Sequence, residues 1–172
     1  MSETSGGIER ARAFADQAHG DQRYGDEPYV AHLDEVAGIV RTVAEHDPEL
    51  VIMAYLHDVV EDTEVTLADV GQHFGEGVMG CVDLLTDSPG RNRKERKAAT
   101  YARLARVEAG PLARALVVKV ADRLANVRRC RRDGNRGLLA MYRKEHATFR
   151  AAAHRDGVVS EWWSELDRAL ET

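Results

Sequence analysis

Seven consecutive apolar residues, Leu50-Val51-Ile52-Met53-Ala54-Tyr55-Leu56, place the strongest constraint on the fold. Asp47-Pro48 ahead of them opens a helix, and a helix that is apolar all round is buried on every side. The run is far short of the ~20 residues a membrane span needs, so the other elements must wrap around it. It ends abruptly in the string His57-Asp58-Val59-Val60-Glu61-Asp62-Thr63. An imidazole and three carboxylates beside the most apolar helix are costly unless something positive compensates them.

The elements available for wrapping read as helices. Apolar residues recur at helical spacing almost throughout, punctuated by Gly, Pro and Asp, and no series of strands is legible. A first helix spans 8–19, with Ile8, Ala11, Ala15 and Ala18 on one stripe, and 20–28 reads as loop. A second helix follows Pro28, with Leu33, Val36, Ala37, Val40 and Val43 inward. Thr66 caps a short helix, and another runs from Val78 to Leu85. After the turn Ser88-Pro89-Gly90, a long basic helix over 92–108 stops at Gly110-Pro111. The next covers 111–132, with Leu116, Val117, Val120, Leu124 and Val127 inward, and two more fill 138–153 and 160–170. The expectation is an all-α fold of about eight to nine helices in one domain over 8–172, with residues 1–7 poorly ordered.

The formal net charge of −5 conceals a split. Residues 1–90 carry 4 basic and 19 acidic side chains, residues 91–136 carry 15 and 4, and residues 137–172 carry 5 and 6. Twenty of the 24 basic residues are Arg, a type suited to forked contacts with phosphate. The split points to an anionic ligand. Cys81 and Cys130 lie far apart without metal-ligand spacing and read as free thiols in a reducing, cytoplasmic setting. The polar N-terminus shows no charged-then-apolar signal pattern. Membrane spans, secretion and disulfide scaffolds are not expected.

His57 and Asp58 form a mixed nitrogen and oxygen donor pair suited to Mn, Fe or Zn. Adjacent residues on a continuous helix point about 100° apart, so the pair can flank one ion but not close its shell. Glu61 and Asp62 lie three to four residues on, share that face, and are placed to poise a water. Asp122 and Asn126, one turn apart in VVKVADRLANV, add an oxygen donor and an amide, against the competing reading of an ordinary amphipathic surface motif. His32, four residues after Pro28, is either a further donor or a satisfied structural imidazole. His19, His46, His73, His146 and His154 have no comparable context and read as structural. Arg93 and Lys97 on the basic helix, and Lys119 one turn before Asp122, are candidate donors to a phosphate group on which negative charge builds.

The set His32, His57-Asp58, Asp122 resembles the HD-domain metal-dependent phosphohydrolases, and the fuller string resembles the hydrolase domain of the RelA/SpoT alarmone enzymes. Residues 13–19, Gln22-Arg23, Gly25, Pro28-Tyr29, His32, 56–63, Phe74-Gly75, Leu85-Thr86 and 119–124 fall in the family's order. The resemblance implies an all-α HD-domain bundle in which His32, His57, Asp58 and Asp122 bind one divalent metal, Mn²⁺. It further implies that Glu61 and Asp62 activate the attacking water, that Arg23 contacts a guanine base, and that Asn126 contacts the nucleoside. The implied reaction removes pyrophosphate from the 3′ position of (p)ppGpp, leaving GDP or GTP. With no synthetase, TGS or ACT region, the chain is similar to small stand-alone alarmone hydrolases of the metazoan SpoT-homologue type. Leu33 stands where the family commonly has Pro, and Ala125 where it often has His or Tyr. Neither departure removes a ligand, though Ala125 alters the nucleoside pocket. No correspondence is drawn beyond Arg132.

Three other readings compete. One is an HD phosphohydrolase acting on another nucleotide, such as NADPH or a nucleoside monophosphate. Another is a non-catalytic metal- or nucleotide-binding helical module. Nucleic-acid binding through RNRKERK and RRCRRDGNR is disfavoured, because the chain is acidic overall and those runs hold no aromatic residue. The expected partner is an anionic guanosine nucleotide, with no membrane; a homo-oligomer stays open.

Overall fold

The computed structural model describes residues 3–171, with side chains from residue 6 onward. In chain order the elements are α1 (Glu3–His19), β1 (Arg23–Tyr24), β2 (Glu27–Pro28), α2 (Tyr29–Arg41), α3 (Glu49–Leu56), α4 (Val59–Asp62), α5 (Leu67–Phe74), α6 (Glu76–Leu85), α7 (Arg93–Leu104), α8 (Arg114–Arg132), α9 (Arg136–Ala153) and α10 (Ser160–Glu171). A single 3₁₀ turn, Pro111–Ala113, leads into α8. The fold is all-α, with nine helices of two turns or more and the single-turn α4 among the described residues.

The apolar run becomes α3 and sits where its composition demands. Leu50, Val51, Met53, Ala54, Tyr55 and Leu56 are all buried, against α1, α2, α6 and α8. The second central element is α8, which packs on α2, α3, α6, α9 and α10 and buries residues on most of its circumference. Trp163 and Leu166 of α10, with Phe149 of α9, close the core at the C-terminal end. No helix among the described residues is long and apolar enough to cross a membrane.

Local signals explain most boundaries. Thr66 accepts from the Asp69 amide while the Asp69 carboxylate accepts from the Thr66 amide at 2.8 Å, a reciprocal capping box. Asn92 caps α7 by accepting from the Glu95 amide. That helix stops at Leu104 rather than at residue 108, and just past its end the Arg155 guanidinium donates to the carbonyls of Leu104 and Val107 at 3.0 and 2.9 Å. Val43, read as inward, lies beyond the end of α2 and is exposed. Within the N-terminal stretch 1–7, residues 1 and 2 lie outside the described residues, and α1 begins at Glu3, ahead of the expected Ile8.

Two departures from the expected pattern shape the site. The segment read as loop contains a minimal antiparallel hairpin, pairing Arg23 with Pro28 and Tyr24 with Glu27 around Gly25-Asp26. The helix expected to carry His57 through Asp62 is interrupted. Regular geometry ends at Leu56, Asp58 takes φ −108° and ψ −4°, and a new turn starts at Val59.

Candidate metal centre and active site

His32 comes from the first turn of α2, His57 and Asp58 from the break between α3 and α4, and Asp122 from the middle of α8. The break allows two adjacent residues to face one point, with His57 Nε2 only 3.0 Å from Asp58 Oδ2. Asp122 Oδ1 lies 3.3 Å from His32 Nε2 and 3.7 Å from His57 Nε2, and His32 Nε2 lies 3.8 Å from Asp58 Oδ2. Donors about 2.1 Å from a common ion lie roughly 3.0–3.4 Å apart on an octahedral or tetrahedral shell. The observed spacings of 3.0–3.8 Å suit such a shell.

The electrostatics favour a cation at that point. The Nδ1–H of His57 donates to the Ala54 carbonyl at 2.7 Å, so in the neutral ring the Nε2 lone pair faces two carboxylates. That atom is buried without a hydrogen-bond partner, and so is Nδ1 of His32. Burial opposes charge on His57, but Asp58 and Asp122 outweigh it and hold its pKa well above the ordinary value. Burial likewise works against both carboxylates, yet His57 holds Asp58 below its usual range, and His32, His57 and Lys119 do the same for Asp122. A proton on His57 therefore occupies the electrostatic role for which a divalent ion is the better match. The His32, His57 and Asp58 donors form a compact cluster of mixed chemistry that fits such an ion, with Asp122 beside it.

Around this cluster lies a cavity of about 200 Å³ lined by Tyr24, Tyr29, His32, Asp58, Glu61, Asp62, Arg93, Lys97, Lys119, Asp122, Arg123, Asn126, Tyr142 and Phe149. Its lining divides by charge into an acidic floor of Asp58, Glu61, Asp62 and Asp122 and a basic wall of Arg93, Lys97, Lys119 and Arg123. The Tyr29 hydroxyl bridges the floor, 2.6 Å from Asp58 Oδ2 and 3.0 Å from Asp62 Oδ2. His19, read as structural, stacks on the Tyr29 ring with centroids 4.2 Å apart. The Glu61 carboxylate accepts from the Asp87 amide at 3.0 Å. Crowding by neighbouring side chains raises the Glu61 pKa above the ordinary value, with the Asp87 amide opposing.

On the basic wall, Lys119 is buried and donates to the Leu85 carbonyl at 2.8 Å. Burial disfavours its charge, but Asp122, Asp87, Asp58 and Glu61 together raise its pKa. Lys97 binds the Asp87 carboxylate at 2.7 Å, and burial together with Lys119 lowers its pKa. Arg93 pairs with both oxygens of Glu145, at 2.8 and 3.1 Å.

The structure thus brings together ten of the eleven residues read from the sequence: His32, His57, Asp58, Asp122, Glu61, Asp62, Asn126, Arg93, Lys97 and Lys119. It does not bring in Arg23, which is exposed on β1, bonded to the Asp26 carbonyl and absent from the cavity lining. Asn126 is already engaged: its amide NH₂ donates to the carbonyl and carboxylate of Asp122, and its Oδ1 accepts from the Tyr24 hydroxyl.

Sequence reasoning missed Tyr24, Tyr29, Asp87 and Arg123 as parts of the site. Arg123 is buried, donates to Tyr101 Oη at 2.8 Å, and lies 4.7 and 4.4 Å from the ring centres of Tyr142 and Phe149. Asp87 anchors Glu61 and Lys97 at once, from the position just ahead of the turn Ser88-Pro89-Gly90.

An all-α bundle that gathers an H…HD…D donor set at a break in its central helix defines the HD-domain class. The chain matches the HD domain over residues 11–159 and belongs to that family. It is 38% identical over 119 residues to the guanosine-3′,5′-bis(diphosphate) 3′-pyrophosphohydrolase MESH1 of Drosophila melanogaster, covering 67% of this chain and 64% of that one. It is 37% identical over 123 residues to a probable guanosine-3′,5′-bis(diphosphate) 3′-pyrophosphohydrolase of Synechocystis, covering 69% of this chain and 16% of that one. The chain therefore spans about a sixth of the length of the long bacterial relatives it matches, 16% and 17% for two of them. A solved structure described as a metazoan ortholog of SpoT that hydrolyzes ppGpp superposes with TM-score 0.75 at 26% identity, covering 98% of this chain and 96% of that one.

Proposed function

We propose that this chain is a metal-dependent hydrolase that removes pyrophosphate from the 3′ position of guanosine 3′,5′-bis(diphosphate), with Mn²⁺ as the ion. The observation that carries the reading is the composition of one cavity: a donor cluster suited to a divalent ion shares it with Arg93, Lys97 and Lys119. The names of the relatives supply the particular nucleotide. His32, His57, Asp58 and Asp122 would hold the ion. A divalent ion there lowers the pKa of a bound water and polarises a phosphoryl oxygen.

The chain's own residues do the rest. Glu61, with its raised pKa, takes the proton of the attacking water near neutral pH. Asp62 and the Tyr29 hydroxyl, 3.0 Å apart, orient that water. Lys119, held charged by its carboxylate neighbours, and Lys97 meet the charge that builds on the 3′-diphosphate under attack, while the ribose 3′-oxygen leaves with the proton that Glu61 has taken. Arg93 binds the phosphates as a fork. Asn126 keeps one Oδ1 lone pair for a nucleoside contact. Arg23 enters no step from its observed position. A cytoplasmic site of action goes with this reading, and Cys81 and Cys130 are both buried, unpaired thiols.

The test is a nucleotide panel with Mn²⁺: guanosine 3′,5′-bis(diphosphate), NADPH and nucleoside monophosphates, followed by phosphate and pyrophosphate release. Turnover of the first is expected. Turnover of another nucleotide with none of the first would reassign the substrate, and no turnover of any would leave a binding module.

A further inference from the structure

We infer that Tyr24, a residue outside the H…HD…D pattern, is a positioning residue for the metal centre, setting two of its four ligands from the tip of the β1–β2 hairpin. The inference deepens the metal reading above and rests on it. In a two-residue strand successive side chains point to opposite faces, so the exposure of Arg23 turns Tyr24 toward the cavity. From there Tyr24 makes two contacts toward the cluster. Its ring packs on the His32 imidazole, with centroids 4.6 Å apart and planes tilted by 30°. Its hydroxyl donates to Asn126 Oδ1, and Asn126 Nδ2 donates in turn to the Asp122 carbonyl at 3.0 Å and to the Asp122 carboxylate.

The hydrogen-bond direction is fixed by chemistry. Asp122 Oδ1 can only accept, so Asn126 must present its NH₂ to it and its oxygen to Tyr24, which must then donate. The relay therefore selects one orientation of the Asn126 amide and, through it, one orientation of the Asp122 carboxylate. That carboxylate lies 3.3 Å from His32 Nε2.

The hairpin that carries Tyr24 is itself pinned. The Arg129 guanidinium lies 4.6 Å from the Tyr24 ring centre, binds Glu27 at 2.6 Å and Asp133 at 3.0 Å, and holds Tyr24 against α8. Outer partners that orient metal ligands typically change metal affinity about 10–100-fold when removed.

Calorimetric titration of the metal-stripped, full chain with MnCl₂ tests this without relying on activity. Tyr24→Phe keeps the ring and removes the hydroxyl; it should weaken Mn²⁺ binding by about tenfold at an unchanged melting temperature. Asn126→Ala should weaken it at least as much, and Tyr24→Phe added to Asn126→Ala should cost nothing further, because the relay is already cut. If Tyr24→Phe binds Mn²⁺ as the unaltered chain does, or if the two substitutions add independently, Tyr24 does not act through Asn126. An unaltered chain that takes up no Mn²⁺ would instead overturn the metal reading itself.

Discussion

At the scale of single residues, the proposed chemistry divides between groups that would hold an ion and groups that would handle protons. The proposal puts Glu61 in the second kind, so Glu61→Gln is expected to leave Mn²⁺ affinity intact while lowering kcat by about 10²-fold or more. Retained turnover would remove Glu61 from the proposed mechanism. The crowding that raises its pKa also sets a pH signature. The carboxylate must be ionised to accept a proton, so kcat falls on the acid side through a value above that of an ordinary glutamate. His57 gives a second, independent signature. Its raised pKa means that a proton competes with the ion, so divalent-ion affinity should weaken as pH falls, measured by calorimetry. An affinity independent of pH would contradict the placement of His57.

Residue type decided which of these groups were legible. His57, Asp58 and Asp122 stood out because charged donors interrupt otherwise apolar helices. Tyr24 and Asp87 carry no such mark, and Arg123, which interrupts the same apolar stretch as Asp122, read as part of an ordinary surface motif. Tyr24 faces inward only because a hairpin forms, and Arg123 is buried only because α7 and α9 close over α8.

Among the elements, the break between α3 and α4 matters most. A continuous helix would splay His57 and Asp58 about 100° apart, whereas the break brings their donors within 3.0 Å. No Pro or Gly announces it, and Val59 just beyond is fully buried, so packing rather than local propensity places it. The apolar α3 and the Thr66 cap were legible because each follows from a local rule. The hairpin was not, since two paired residues leave no periodicity to read. Its turn nevertheless depends on Gly25, whose φ of +62° disfavours side chains and where an added Cβ would stand 2.8 Å from the Arg129 guanidinium. Gly25→Ala should therefore cost about 1–2 kcal/mol, seen as a lower melting temperature. An unchanged melting temperature would mean that the turn accepts a side chain at residue 25 without strain.

Across the whole molecule, part of the charge split joins the chain to itself. The basic segment 91–136 pairs back onto the acidic first half through Arg103–Asp83, Arg114–Glu49, Arg129–Glu27 and Lys97–Asp87. The split alone was therefore a weaker pointer to an anionic ligand than its size suggested. What points to one is the small part of it gathered in the cavity, where Lys97, Lys119 and Arg93 share the lining with the His/Asp donor cluster. Attraction of a polyanion to that wall is screened by salt, so KM should rise with ionic strength while kcat stays nearly constant. The central claim is tested most directly by identifying the products formed from guanosine 3′,5′-bis(diphosphate) by the metal-stripped chain, with and without added Mn²⁺. The account expects GDP and pyrophosphate in equal amounts, only with the ion, and none from Asp58→Ala. Orthophosphate as the product, or equal turnover in the absence of any divalent ion, would contradict it.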